Sequence, residues 1–179
     1  MKLKVNIQTL IHQLSVSDKK DYSRILKNFD IDKLDFSEVE NWLPNSYTRN
    51  CFYRDQYFEL ILICWDEDQQ TEIHDHDGED CWVYILEGEM EEDFYKLDNV
   101  GKLKLCSTNI IKHNQLTRAD KFSEFHRLRN NSGKRALSLH LYAKPIEQSL
   151  TYDETLGVLT KKKLRYDTYK PLNTLAKIN

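Results

Sequence analysis

The chain is 179 residues long, and its 40% apolar content, with three Trp, ten Tyr and seven Phe, can fill the core of a single domain. Twenty-six basic against twenty-nine acidic residues leave a net charge of −3, with no run of like charge longer than Lys161, Lys162, Lys163, so nothing marks a nucleic-acid surface. Asn6, Gln8 and His12 interrupt the first apolar stretch and Leu60 to Trp65 is the longest one, which leaves neither a signal core nor a membrane span.

Residues 1–43 read as helical. Ile7, Leu10, Ile11 and Leu14 keep the i, i+3, i+4, i+7 spacing of one helix face, and Tyr22, Ile25, Leu26 and Phe29 repeat it after Ser17 and Asp18, both of N-cap type. A third short helix is predicted from Asp35 to Leu43, stopping before Pro44. From Tyr47 the period changes to two. Strands are predicted at Tyr47 to Tyr53, Tyr57 to Trp65, Thr71 to His76, Cys81 to Glu87, Met90 to Leu97, Leu103 to Lys112, Phe122 to Asn130, Ala136 to Tyr142 and Lys161 to Tyr169. So many short strands imply a mainly β sandwich or barrel with a helical N-terminal cap. Five Gly and three Pro leave no flexible linker or repeat, so one domain is expected over residues 1–179: helical to 43, a β core over 47–145 and a C-terminal extension over 146–179.

His74-Asp75-His76 is the most informative triplet. In a strand His74 and His76 share a face and can ligate one metal, while Asp75 points away. Ile73 precedes the triplet, the turn Asp77-Gly78-Glu79 follows it, and the apolar strand from Cys81 ends at Gly88. This pattern resembles the first cupin motif, with Cys81 where that motif usually carries a ligand Glu. His126 followed by Asn130 fits the tail of the second cupin motif, although Lys121 and Ser123 replace its usual Pro and Gly. His74, His76 and His126 would form a neutral three-nitrogen face suited to iron, copper, nickel or zinc. Two alternatives stay open: Glu79 or Asp80 completing a two-histidine, one-carboxylate site, and His126 as a surface residue beside Arg127 and Arg129.

The cleanest alternation runs from Ala136 to Tyr142, with Leu137, Leu139 and Leu141 on one face and Ser138, His140 and Tyr142 on the other. The second face reads as a relay from Ser138 through His140 to Tyr142, or as a polar face turned to water. Ser138 lacks the glycine-flanked elbow of a Ser-His hydrolase. Cys51, Cys64, Cys81 and Cys106 stand far apart with no CxxC pair, which argues against a zinc ribbon or a disulfide framework and makes a reduced, cytoplasmic setting the default. His12 and His113 have no comparable context and read as surface residues.

Taken together, Tyr47-Thr48-Arg49-Asn50, Leu62-Ile63-Cys64-Trp65, Ile73-His74-Asp75-His76, Cys81 to Gly88, His126-Arg127 and Ser138-Leu139-His140-Leu141-Tyr142 resemble the cysteine dioxygenases, thiol dioxygenases of the cupin superfamily. The resemblance covers about Tyr47 to Pro145. It implies a cupin-type β-barrel, the double-stranded β-helix, holding iron(II) through His74, His76 and His126. It further implies that Arg49 binds the substrate carboxylate, that Tyr47 lines the pocket, and that Tyr142 brings its hydroxyl to the iron with His140 and Ser138 behind it. Cys81 stands where some members form a thioether bond to that tyrosine, with an inert buried thiol as the alternative. Ala143-Lys144-Pro145 departs from the Ser-Pro-Pro of many animal members. Arg49 favours cysteine, because the class acting on 3-mercaptopropionate generally carries Gln there. The expected reaction adds both atoms of dioxygen to the sulfur of L-cysteine. Other small thiols, 3-mercaptopropionate or cysteamine, and a non-catalytic metal-binding cupin are the rival readings. The expected partners are cysteine and dioxygen, with no nucleic acid or membrane, on a monomer.

Overall fold

The computed structural model describes residues 6–119 and 125–171. Helix α1 (Ile7–Ser15) forms where the apolar spacing predicts, and Asn6 caps it by accepting from the Thr9 N–H at 2.9 Å. Helix α2 (Tyr22–Asn28) follows a 3-10 turn over Lys19–Asp21, and Asp18 makes no side-chain capping bond. The helix expected from Asp35 to Leu43 does not form. Asp35 instead accepts from the Ser37 N–H at 3.0 Å, a local bond that competes with helix, and only a turn closed on the Phe36 carbonyl remains.

Twelve strands follow among the described residues: β1 (Thr48–Arg54), β2 (Glu59–Trp65), β3 (Ile73–His74), β4 (Asp80–Glu87), β5 (Glu89–Leu97), β6 (Leu103–Lys112), β7 (Leu116–Ala119), β8 (Phe125–Asn130), β9 (Ala136–Ala143), β10 (Gln148–Asp153), β11 (Val158–Lys163) and β12 (Thr168–Tyr169). They make two six-stranded sheets, ordered β12-β1-β2-β9-β4-β7 and β11-β10-β3-β8-β5-β6. The expected cupin-type barrel, mainly β with N-terminal helices, is the fold. Lys121, Phe122 and Ser123, which the motif reading used, lie outside the described residues.

Three expectations change. The strand expected over Thr71 to His76 shrinks to two residues, and that expected over Lys161 to Tyr169 divides into the end of β11 and β12. β7 and β10 were not foreseen. β10 pairs with β3 and with β11, so residues beyond 147 build one wall of the second sheet.

The first sheet is buried on both faces, which explains why every residue of β2 and β9 is buried. Its outer face carries Leu60, Leu62, Leu137, Leu139 and Leu141 against Leu10, Ile11, Leu14 and Leu26 of the helices. Each such leucine contributes roughly 1.5–3 kcal/mol by leaving water. Its inner face carries Ile61, Ile63, Trp65, Val83 and Ile85 toward Met90 and Leu128 of the second sheet. The leucines of β9 therefore hold the cap, and its Ser, His and Tyr face the barrel interior rather than water. Gly88 joins β4 to β5 at φ +81°, and a Cβ there would lie 2.7 Å from the Ala136 Cβ, so the turn requires glycine. No helix among the described residues is long and apolar enough to cross a membrane.

Candidate metal centre

His74 closes β3 directly opposite His126 in β8. His76 lies beyond the end of β3, so strict strand alternation does not place it. Its ring reaches the same point because β10 grips the intervening residue: the Asp75 N–H donates to the Leu150 carbonyl at 3.0 Å, and the Leu150 N–H donates to Asp75 Oδ1 at 2.7 Å. Asp75 is thereby turned away as expected. The three rings sit 5.4, 4.7 and 4.6 Å apart between centroids, and one nitrogen from each falls within 4.8 Å of the others. Among the described residues these three form a group that could hold a metal ion.

Outer contacts orient the ligands. His74 Nδ1 donates to the Glu72 carbonyl at 2.9 Å, leaving Nε2 with a free lone pair. His126 Nδ1 donates to Glu92 Oε1 at 2.8 Å, and its Nε2 meets His76 Nε2 at 3.0 Å. Glu92 is fully buried, and its second oxygen accepts from the Thr117 hydroxyl at 2.7 Å. Burial, then the neighbouring His126, depresses His74 to about 3, and the same two causes hold His76 well below the ordinary histidine range. Neutral imidazoles are the ligating form, so the donor set fits a transition-metal ion. Glu79 and Asp80 are engaged elsewhere: Glu79 accepts from the Lys144 N–H at 3.1 Å, and Asp80 pairs with Arg118 at 2.9 Å and Lys19 at 2.5 Å.

The polar face of β9 enters the same interior. Trp65 Nε1–H donates to Ser138 Oγ at 2.8 Å, and Ser138 lies 2.8 Å from His140 Nε2. The Ser138 hydroxyl accepts the indole N–H on one lone pair and keeps a proton and a second lone pair for His140 Nε2, so the contact holds in either His140 tautomer. His140 Nδ1 is buried without a partner. Burial, then Arg49, holds His140 well below the usual range and hence neutral. The relay therefore runs from Trp65 to Ser138 to His140 and stops there. His140 and Tyr142 stack at 6.2 Å between centroids, with no hydrogen bond joining them. Tyr142 packs edge-on against His76 at 5.6 Å and lies opposite Cys81 in the β4–β9 register. Burial raises both the Cys81 thiol and the Tyr142 phenol well above their ordinary values.

Arg49 enters from β1, with its backbone clasped by Asp167 in both directions at 2.8 and 2.9 Å. Its Nη1 and Nη2 are buried and have no partner. Its guanidinium lies 5.9 Å over the Tyr166 ring, and the Tyr166 hydroxyl donates to the buried Glu59 carboxylate. Tyr47 precedes β1 and packs against Trp65 at 4.9 Å. Arg49, Tyr47, His74, His126, His140 and Tyr142 line one cavity, which leaves about 70 Å³ for the centres of water-sized groups. A water needs roughly 10–15 Å³ on that measure, so the cavity suits a molecule of a few heavy atoms. His12 and His113 are exposed, as expected.

Sequence reasoning missed Glu92, the Trp65 contact and the cavity wall supplied by β10. For Glu92 a signal existed: Met90, Glu92 and Phe94 alternate on one face of β5, which sets a charge between two apolar side chains.

The family model described as Cysteine dioxygenase type I matches residues 1–155. The cysteine dioxygenase type 1 of Danio rerio is 27% identical over 159 residues, which span 84% of this chain and 79% of that protein. The cysteine dioxygenase type 1 of Homo sapiens is 25% identical over 155 residues, spanning 83% and 78%. Among solved structures, a Klebsiella pneumoniae protein with a double-stranded β-helix domain aligns at TM-score 0.50 and 12% identity over 73% of this chain and 95% of that one, a likeness of fold.

Proposed function

Because the chain belongs to the cysteine dioxygenase type I family, we propose that it is an iron(II)-dependent thiol dioxygenase that converts L-cysteine and dioxygen to cysteine sulfinate. The observation that carries the substrate assignment is Arg49. A guanidinium buried with both terminal nitrogens unpaired is unfavourable until a ligand supplies acceptors, and two parallel donors match a carboxylate. The small cavity beside three histidines then calls for a short carboxylic acid with a metal-seeking group.

His74, His76 and His126 would hold the ion. Iron(II), when bound there, supplies a Lewis-acidic site for the substrate thiolate and amine and the redox chemistry by which dioxygen reacts with sulfur. The chain's own residues do the rest. Arg49 fixes the carboxylate, so the substrate enters with one orientation. His140, pinned by Ser138 and Trp65, presents its Nδ1 edge to the cavity, and Tyr142 presents its hydroxyl beside His76. The barrel walls exclude bulk water. Both oxygen atoms end on sulfur, whose oxidation provides the electrons that dioxygen accepts, so no external reductant is consumed.

Cys81 and Tyr142 belong to the same proposal. Facing each other across β4 and β9, they are placed for a thioether from sulfur to the ring carbon beside the hydroxyl. The bond forms with loss of one hydrogen from each partner, and dioxygen is the oxidant. It would hold the phenol in place.

Arg49 favours thiols that carry a carboxylate, which sets cysteine and 3-mercaptopropionate above cysteamine. The test is metal analysis of protein purified without air, followed by turnover of the three thiols by the native protein and by Arg49→Gln. Cysteine is expected to be the best substrate, and Arg49→Gln to keep its iron while losing at least about tenfold in kcat/KM on cysteine, the size of a charged hydrogen bond. An unchanged cysteine rate in Arg49→Gln would place the carboxylate elsewhere.

A further inference from the structure

The cavity wall holds one buried polar group that this chemistry leaves without a task. Ser149 lies on β10, two residues before Thr151, which faces His74 across the β3 pairing. It is 2% exposed, it lines the cavity, and its Oγ has no hydrogen-bond partner. Neighbouring hydroxyls differ in this respect. Thr151 donates to the Thr160 carbonyl at 3.3 Å, and Thr71 accepts from the Leu128 N–H at 3.1 Å.

The unpartnered buried atoms that line this cavity are Arg49 Nη1 and Nη2, His140 Nδ1 and Ser149 Oγ. The Arg49 atoms can only donate, and His140 Nδ1 donates or accepts according to its tautomer. Ser149 Oγ can accept whichever tautomer His140 takes. Among the described residues the one carboxylate in the wall, Glu72, is exposed and tied to Lys162 at 2.6 Å. A substrate carboxylate brings only acceptors and meets Arg49. An amino group keeps N–H donors whether neutral or charged, and it needs an acceptor in the wall.

We infer that Ser149 Oγ accepts a hydrogen bond from the amino group of the substrate and thereby sets a preference for amino thiols over thiols that carry a carboxylate alone. The inference rests on the thiol dioxygenase reading. Ser149 and Arg49 then divide recognition: one reads the amine, the other the carboxylate. A hydroxyl can also donate to a carboxylate, but that role would serve cysteine and 3-mercaptopropionate equally.

Steady-state turnover of cysteine, cysteamine and 3-mercaptopropionate by the iron-loaded native protein, Ser149→Ala and Ser149→Cys separates these roles. Both variants should lower the ratio of kcat/KM for cysteine over 3-mercaptopropionate by about fivefold to tenfold, the size of one hydrogen bond, with the change in KM. The ratio of cysteamine over 3-mercaptopropionate should fall alike. Ser149→Cys keeps the volume but supplies a weak acceptor, so a packing fault in the alanine protein cannot imitate the result. Unaltered ratios, or losses shared by cysteine and 3-mercaptopropionate, would overturn the assignment while leaving the dioxygenase reading intact. A native protein that turns over none of the three thiols would overturn that reading and this inference with it.

Discussion

Glu92 shows how a single side chain can govern the candidate centre from behind one of its histidines. A buried carboxylate is costly unless its oxygens are satisfied, and here His126 Nδ1 and the Thr117 hydroxyl take one each. The same contact fixes the His126 ring and its tautomer. Glu92→Ala should weaken iron(II) binding by about 10–100-fold, and Glu92→Gln by less, in titrations of the metal-free protein. Unchanged affinity in the alanine protein would mean that His126 is oriented by other contacts. Cys81 and Tyr142 make the second prediction at this scale. After incubation with cysteine, iron(II) and air, peptide mass spectrometry should find their peptides joined with loss of two hydrogens. Only free Cys81 thiol after many turnovers would contradict the cross-link. His74 and His76 were legible because their spacing is local, His126 because Asn130 follows it at the motif's spacing, and Arg49 because it sits in a conspicuous block. Glu92, one of three consecutive acids, was marked only by its alternation with Met90 and Phe94, a signal weaker than a motif. Ser149 sits in a tail without any motif, so its place in the cavity depends wholly on pairing between distant strands.

Strands were easiest to read where one face is apolar and the other polar. β9 is such a case, yet its polar face looks inward, because the leucine face is claimed by the helical cap. Alternation gives the period of a strand and leaves open which side is dry. The short β3 was over-read for a different reason: His76 reaches the centre through the β10 contacts to Asp75, and the pleat does not continue to it. The expected helix after Asp35 failed through a side-chain bond to Ser37, a competition that apolar spacing does not register. The turn at Gly88 was legible as part of the first cupin motif, and the structure supplies its cause. Gly88→Ala would force a left-handed alanine and a contact with Ala136 at 2.7 Å. It should destabilise the protein by at least about 2 kcal/mol in urea unfolding. A loss under about 0.5 kcal/mol would show that the hairpin yields freely.

At the scale of the whole molecule, two apolar layers leave one polar interior. The first sheet seals against the helices on one side and against the second sheet on the other, and the histidines, Arg49 and the β9 relay share the space that remains. The barrel as a class was legible from many short strands in a chain poor in Gly and Pro. The contribution of residues 148–169 was not, because β11 and β12 are short and mostly charged or exposed, which is how edge strands resist further pairing. Those residues nonetheless close the cavity through Ser149, Thr151, Lys162 and Leu164. The most direct measurement supplies iron-loaded protein with cysteine under isotopically labelled dioxygen and follows oxygen uptake and product mass together. The account predicts one dioxygen consumed per cysteine and a sulfinate carrying two labelled oxygen atoms. Cystine as the product, or a sulfinate with oxygen drawn from water, would contradict it.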